Sequence, residues 1–396
     1  MPRKKTMGRG ANGTGSIRKI TTVKNNKEYT YWQARYTAGY DPGTGKQIQR
    51  TISGKTQKEV AQKLKQVTHE IDQGTYHAPS KLSVGEWLNL WKSNYLANLK
   101  PRTVEIYNTA IRVHIQPALG AIKLDALTPQ TLQSFYNALT EKKQLAPKSV
   151  KDIHGIVHKA LQQAVSLGHL RLNPADACVL PRVEKKEIAP LDDHDIASFL
   201  NHIRGDQFEI LLTVALFTGM RQGEIMALTW DCIDFTRGTI TINKQIQRYR
   251  EEHGVYRIAP TKNGKSRVIA PASSVMLLLR KQQEHQSQLQ KEAGSAWEKS
   301  NLVFTDQLGH HLTNSIVYRH FKRAATAIDR PDARFHDLRH SYAVAAIRSG
   351  DDIKTVQGNL GHATASFTLD VYGHVTDQMK KNSSDRMEAY IQSFSQ

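Results

Sequence analysis

Thr239-Ile240-Thr241-Ile242, Val255-Tyr256-Arg257-Ile258 and Arg267-Val268-Ile269 interrupt a long helical pattern with period-two alternation. Successive side chains of a strand point to opposite faces. These three runs, with turn chemistry at Glu252-His253-Gly254 and Asn263-Gly264, therefore predict a three-stranded sheet. The sequence before them is helical. Ile196, Phe199, Leu200 and Ile203 recur at the 3.6-residue period, and a nearly continuous apolar run over residues 210–217 leads into Thr218-Gly219, which predicts a buried helix. From Ser273 onward the chain reads as helix and loop. Residues 188–396 are thus expected to form a mainly α domain with a three-stranded β-sheet, ending in a helical tail in which Met387, Tyr390, Ile391 and Phe394 make one apolar face. Whether that face packs in cis or in trans stays open.

Two further domains are expected upstream, giving an α+β multidomain chain. Residues 1–16 are basic and Gly-rich and read as an arm. Tyr29-Thr30-Tyr31-Trp32-Gln33-Ala34-Arg35-Tyr36 is strand-like, Gly39-Tyr40-Asp41-Pro42-Gly43-Thr44-Gly45 is dense in turn residues, and residues 46–52 alternate again. Val60, Leu64 and Val67 then take helical spacing, so residues 1–76 predict a three-stranded sheet backed by one helix. Its solvent face is expected to carry Arg18, Lys19, Lys24, Lys27, Arg35 and Lys46, a basic β-ribbon suited to a DNA groove. After a linker over residues 74–80, Ser83 and Glu86 have capping-box spacing ahead of Trp87, Leu90, Trp91 and Tyr95. Three more amphipathic helices follow. They carry Val104, Tyr107, Ile111 and Ile115, then Leu132, Phe135, Tyr136 and Leu139 behind Thr128-Pro129, then Val150, Ile153, Val157, Leu161 and Ala164. Residues 81–180 are therefore expected to be a small helical domain, with the tryptophans as packing residues. A Pro-rich linker with Pro174, Pro181 and Pro190 separates it from the last domain.

Composition narrows the function. Of 396 residues, 39% are hydrophobic and 23% charged, which excludes collagen-like and wholly disordered chains. No window approaches the ~18 apolar residues of a membrane span. The positive N-terminus lacks the apolar stretch of a signal peptide. Two cysteines, Cys178 and Cys232, build neither a disulfide framework nor a CxxC zinc site, so a cytoplasmic protein is expected. The formal net charge is +19 and unevenly spread. Residues 1–80 hold 15 Lys and Arg against 5 Asp and Glu, residues 81–182 hold 13 against 6, and residues 183–396 hold 27 against 25. The first two domains are suited to a polyanion and the third to chemistry.

Five segments of the third domain carry that chemistry: Gly219-Met220-Arg221-Gln222-Gly223-Glu224, Thr261-Lys262-Asn263-Gly264-Lys265, His336-Asp337-Leu338-Arg339-His340, Leu360-Gly361-His362 and Val371-Tyr372-Gly373-His374. Two arginines, a turn lysine, histidines and a tyrosine suit a dianionic, phosphorane-like transition state. Guanidinium forks bind non-bridging oxygens, a lysine can protonate a leaving alkoxide, and a tyrosine can serve as nucleophile. His336 and His340 have the i, i+4 spacing of metal ligands, but no Glu stands where a zincin would use it and Arg339 sets a cation beside the pair. No magnesium-type carboxylate cluster, G-x-S-x-G or Walker sequence is present, so neither metal nor nucleotide cofactor is expected.

The set resembles the tyrosine site-specific recombinases across essentially the whole chain. TGMRQGE matches the family's first box, HDLRHSYA its H-x-x-R box, and LGH and LDVYGHV the boxes that follow in order. The resemblance implies Arg221, His336, Arg339 and His362 as catalytic residues, Tyr372 as nucleophile and Glu224 as the acidic support of Arg221. Lys262 falls where the family keeps its mobile lysine, with Lys265 on the same turn as the open alternative. The His362-to-Tyr372 interval and the G-Y-D-P-x-T-G-K turn are similar to integrases of conjugative transposons. That implies an arm-binding domain, a core-binding domain and a catalytic domain acting as a tetramer on double-stranded DNA, with no cofactor and with an excisionase or DNA-bending protein as accessory partner. Arg18, Lys19, Arg35, Arg102, Lys148 and Lys244 are the expected DNA contacts. A type IB topoisomerase shares this chemistry, and a DNA-binding regulator with a dead site shares the fold; the three-part basic architecture opposes the first and the intact boxes the second.

Overall fold

The computed structural model describes residues 16–24, 27–74, 76, 81–184, 189–249, 255–261, 264–361, 384–388 and 390–394. Lys262, His362, Tyr372 and His374 lie outside the described residues, as do the arm over residues 1–15, the turn at 252–254 and the side chains of Lys24, Lys27 and Tyr249. The chain divides into two units, Met1–Glu184 and Lys185–Gln396.

In the first unit β1 (Ser16–Lys24), β2 (Lys27–Tyr40) and β3 (Gln47–Gly54) form an antiparallel sheet in that order, followed by α1 (Gln57–Asp72). The β2–β3 turn closes because Asp41 Oδ1 accepts from Gly43 N at 3.0 Å and Thr44 N at 2.8 Å. Ala34 and Tyr36 face Val60 and Leu64 of α1, and all four are buried. Arg18 pairs with Gln33 and Lys19 with Trp32. Adjacent strand residues point to opposite faces, so the expected single basic face is corrected: Arg18 and Arg35 share the solvent face, and Lys19, although exposed, stands on the α1 side.

The helical part comprises α2 (Val84–Tyr95), α3 (Pro101–Ala110), α4 (Gln116–Leu119), α5 (Pro129–Glu141) and α6 (Pro147–Ser166). The capping box forms, with Ser83 N donating to Glu86 Oε2 and Glu86 N to Ser83 Oγ. Trp87 and Trp91 are buried, Trp87 Nε1 donating to Ala160 O at 2.9 Å, whereas Leu90 and Tyr95 are exposed. Leu88 fills the core instead, because the buried arc of α2 lies on the other flank of the tryptophans. A π-helical turn over Ile111–Ile115 joins α3 to α4 and buries both isoleucines.

The second unit packs α7 (Asp193–Ile203), α8 (Glu209–Thr218), α10 (Ser273–Ala293), α11 (Asn314–Ala327) and α12 (Phe335–Arg348) around one apolar core, with α13 (Ile353–Leu360) against α12. Between α8 and α10 lie the single turn α9 (Gln222–Ile225) and five short strands. The expected sheet has different members. β5 (Thr239–Ile242) pairs with β4 (Ile233–Asp234) and β8 (Arg267–Ile269), whereas β7 (Val255–Pro260) pairs with β6 (Lys244–Tyr249) as a separate hairpin. Long side chains with weak alternation in Lys244-Gln245-Ile246-Gln247 hid β6. Residues 384–388 and 390–392 are helical, and Met387, Tyr390, Ile391 and Phe394 are all more than half exposed. No helix among the described residues is long and apolar enough to cross a membrane.

Candidate active site

The apolar run of α8 ends at Gly219, whose φ of +62° turns the chain out of the helix. A Cβ there would stand 2.6 Å from Tyr342 Cδ1 and 2.7 Å from Leu360 Cδ2, so glycine is required on both conformational and steric grounds. Two residues on, Arg221 caps α9. Its backbone N–H donates to Glu224 Oε2 at 3.0 Å and its guanidinium Nη1 to Glu224 Oε1 at 2.7 Å. Gly223 allows this turn to press on β6, since a Cβ there would lie 2.9 Å from Ile246 O.

Glu224 is only 2% exposed and ionised. Burial works to raise its pKa, but the hydrogen bonds and charges of Arg267 and Arg221 outweigh burial and hold it at about 2. Arg267, on β8, grips the carboxylate with both terminal nitrogens, at 2.6 and 3.1 Å, and its Nε donates to Asn359 O at 2.7 Å. Sequence reasoning passed over Arg267. Its strand position gave the signal, because Arg267 shares a face with buried Ile269, where a charge requires a partner.

Arg339 is 1% exposed. A guanidinium so placed must be hydrogen-bonded, and it donates Nη1 to Gly219 O at 2.8 Å and Nη2 to Leu360 O. Both acceptors are C-terminal carbonyls, of α8 and α13, where the helix dipoles favour a cation. One buried arginine thus joins the first box, the H-x-x-R box and the start of the LGH box. His336, one turn earlier on α12, packs edge-on against His340 with ring centroids 5.0 Å apart. Although more than a third of His336 is accessible, crowding around the ring, then the charges of His340, Arg339 and Arg221, lower its pKa to about 4, so it is neutral at physiological pH. Of the six residues proposed from sequence, Arg221, His336 and Arg339 are brought together with Glu224; Lys262, His362 and Tyr372 lie outside the described residues. On either side of residues 262–263, Gly264 N donates to Thr261 O at 2.9 Å and Thr261 Oγ1 to Lys265 O at 2.7 Å, with Lys265 exposed. Tyr342, beside Gly219, accepts from Asn359 Nδ2 at 3.1 Å, and burial raises its pKa.

Elsewhere, Arg102 pairs with Glu105, Lys148 with Asp152, and Lys244 Nζ donates to Thr229 Oγ1 at 2.8 Å. The Lys148 pair, exposed at i, i+4, is worth little. Among the described residues, one group has metal-like spacing: Asp192, His194 and Asp195. Asp192 caps α7, accepting from Asp195 N at 2.8 Å, and Asp195 pairs with Arg330.

The phage integrase family model matches residues 191–379, and a phage integrase N-terminal SAM-like model matches residues 83–140. An integrase of Streptomyces ambofaciens is 30% identical over 348 residues, covering 86% of this chain and 88% of the relative. The chain belongs to the phage integrase family of tyrosine recombinases. A XerC-like tyrosine recombinase of Caldanaerobacter subterraneus is 28% identical over 384 residues, covering 92% of the integrase described here and 97% of the relative. The fold is shared with the Tn1549 transposon integrase solved with circular intermediate DNA, at a TM-score of 0.65 and 20% identity over 78% of this chain and all of that one. The integrase is accordingly a site-specific recombinase of mobile elements that cleaves and rejoins DNA.

Proposed function

We propose that the integrase exchanges strands of a mobile element's ends through a 3′-phosphotyrosyl intermediate formed at Tyr372. The observation that carries this reading is the convergence of Arg221, His336 and Arg339 on the joined ends of α8 and α13. Tyr372 attacks the scissile phosphorus as its phenolic proton passes to neutral His336. Arg221, Arg339 and His362 hold the non-bridging oxygens, and Lys262, or Lys265 from the same turn, protonates the leaving 5′-oxygen. A 5′-hydroxyl of the partner duplex, giving its proton to the now neutral lysine, then displaces the tyrosine, which takes its proton back from His336. Glu224 offsets the charge of one of its two arginines, leaving net positive charge for the phosphate. The phosphodiester energy is kept in the covalent link, so no step consumes ATP.

Residues 1–76 bind arm sequences, residues 81–180 and 188–396 clamp the crossover site, and two duplexes with four cleavable strands require a homo-tetramer. Arg18, Arg35, Arg102, Lys148 and Lys244 contact the backbone, whereas Lys19, on the α1 side of its sheet, does not; an excisionase or DNA-bending protein sets direction, and the reaction runs in the bacterial cytoplasm. The test is incubation with a suicide duplex carrying the element's end. A covalent protein–DNA adduct is expected with the wild-type chain and none with Tyr372→Phe, whose DNA affinity stays nearly unchanged. An adduct formed by Tyr372→Phe overturns the assignment, and relaxation without exchange between two marked duplexes would make the enzyme a topoisomerase.

A further inference from the structure

Glu224 is held by two arginines, and the roles proposed above use only Arg221. Arg267 makes the larger set of bonds. It forks onto both carboxylate oxygens, reaches across with Nε to the Asn359 carbonyl, and is only 10% exposed along its side chain. Its stem lies under Gly361, where an added Cβ would meet Arg267 Cδ at 3.1 Å and Nη1 at 3.3 Å; Gly361, at φ +65°, ends α13 directly before His362. One side chain on β8 therefore touches the support of Arg221 on one side and the backbone leading to the LGH histidine on the other.

We infer that Arg267 is a positioning residue for DNA cleavage, locking Glu224 and the end of α13 in the places that Arg221 and His362 need. It touches no substrate in this scheme and acts through its two neighbours. The inference rests on the assignment of Arg221 to the scissile phosphate. A lysine cannot replace the interaction, because an ammonium meets a carboxylate as a point and cannot span two oxygens and a carbonyl in one plane. The charged and titratable groups facing Glu224 are Arg221 on α9, Arg267 on β8 and His336 on α12. Without Arg267 the buried carboxylate keeps one guanidinium, and its protonation moves toward neutral pH.

The experiment compares full-length wild type, Arg267→Met, Arg267→Lys and Arg221→Lys in single-turnover cleavage of a suicide duplex, with DNA affinity and the pH–rate profile measured on each. Arg267→Met is expected to cleave at least about tenfold more slowly with affinity changed less than about threefold, the scale on which small misplacements act. Its loss of rate on acidification should begin at higher pH than in wild type. Arg267→Lys should keep the wild-type acid limb while remaining slow, and it also carries the test if Arg267→Met does not fold. Wild-type rates in both Arg267 variants, slowing in Arg267→Met with an unmoved acid limb, or slowing in Arg267→Lys that merely tracks lost thermal stability would overturn the inference. Unimpaired cleavage by Arg221→Lys would instead overturn the reading beneath it.

Discussion

Arg339 Nη1 lies 2.8 Å from the carbonyl oxygen of Gly219, a residue 120 positions earlier in the chain. The bond does two things at once. It satisfies a fully buried guanidinium, and it fixes the end of α8, from which Arg221 projects, against α12, which carries His336. The second nitrogen does the same for the end of α13 at Leu360. One side chain therefore fixes the ends of α8 and α13 against α12 while adding its own charge, which no lysine can imitate across two carbonyls. Arg339→Lys and Arg221→Lys are each expected to lose about 3 kcal/mol or more of transition-state stabilisation, the scale on which lost preorganised donors act. Single-turnover cleavage at saturating protein measures this, and rates within a few-fold of wild type would reduce both residues to general positive charge.

Gly219 should be equally intolerant. Its positive φ costs an alanine about 1 kcal/mol, and the collision of a Cβ with Tyr342 and Leu360 adds to that. Gly219→Ala is expected to lower the denaturant midpoint and slow cleavage together. Gly238, also at positive φ but with open space around its Cβ position, should show only the backbone cost when replaced by alanine. Equal effects at the two positions would show that the close approach to α12 and α13 contributes nothing.

Much of this was legible in the sequence because motif residues and periodicity are local. The apolar run before Thr218-Gly219, the capping box at Ser83 and Glu86, and the buried Trp87 and Trp91 each follow from spacing. Strand membership was not local. Which runs pair depends on where loops return, and β6 escaped because its alternation is carried by Lys244 and glutamines whose stems pack while their ends stay polar. Lys19 and Arg18 look equivalent as a basic pair, yet only the register tells which face each takes. The register with Ile269 marks Arg267 as needing a partner, but which partner was not local: Glu224 is 43 residues away, and a three-residue strand does not say which carboxylate its arginine meets.

Two groups of the site are depressed far enough to mark acid stability. Glu224 is held near 2 against an ordinary 4.5, and His336 near 4 against an ordinary 6.5. In both cases the unfolded chain binds the proton first, so stability falls as pH drops. For His336 the loss runs from about 6.5 down through 4, and for Glu224 from about 4.5 down through 2, each levelling below its folded value. Thermal unfolding followed from pH 7.5 downward should show the midpoint decline across both windows. His336→Asn should make the decline across the upper window shallower, the rest being supplied by His340, His154 and His114, which burial also depresses, and should leave the lower window unchanged; an upper slope unaffected by the substitution would contradict the neutral state of His336.

The division of DNA contacts gives the last expectation. Residues 1–80 hold 15 basic against 5 acidic side chains, on a sheet whose solvent face presents Arg18 and Arg35 among polar neighbours, whereas residues 183–396 are nearly neutral. Phosphate contacts release counterions, so the number of such contacts is readable from the slope of log affinity against log salt, about 0.9 per phosphate on duplex DNA. Deleting residues 1–76 should leave cleavage of a core-site duplex intact while abolishing binding to separate arm sequences, and should make the salt slope on full-length element ends shallower. Within the intact chain, Arg18→Ala and Arg35→Ala should each lower that slope by about one contact, whereas Lys19→Ala, on the α1 side of the sheet, should leave it unchanged. An equal loss at Lys19 would mean that DNA meets this domain along the β1 edge rather than across the face that Arg18 and Arg35 share.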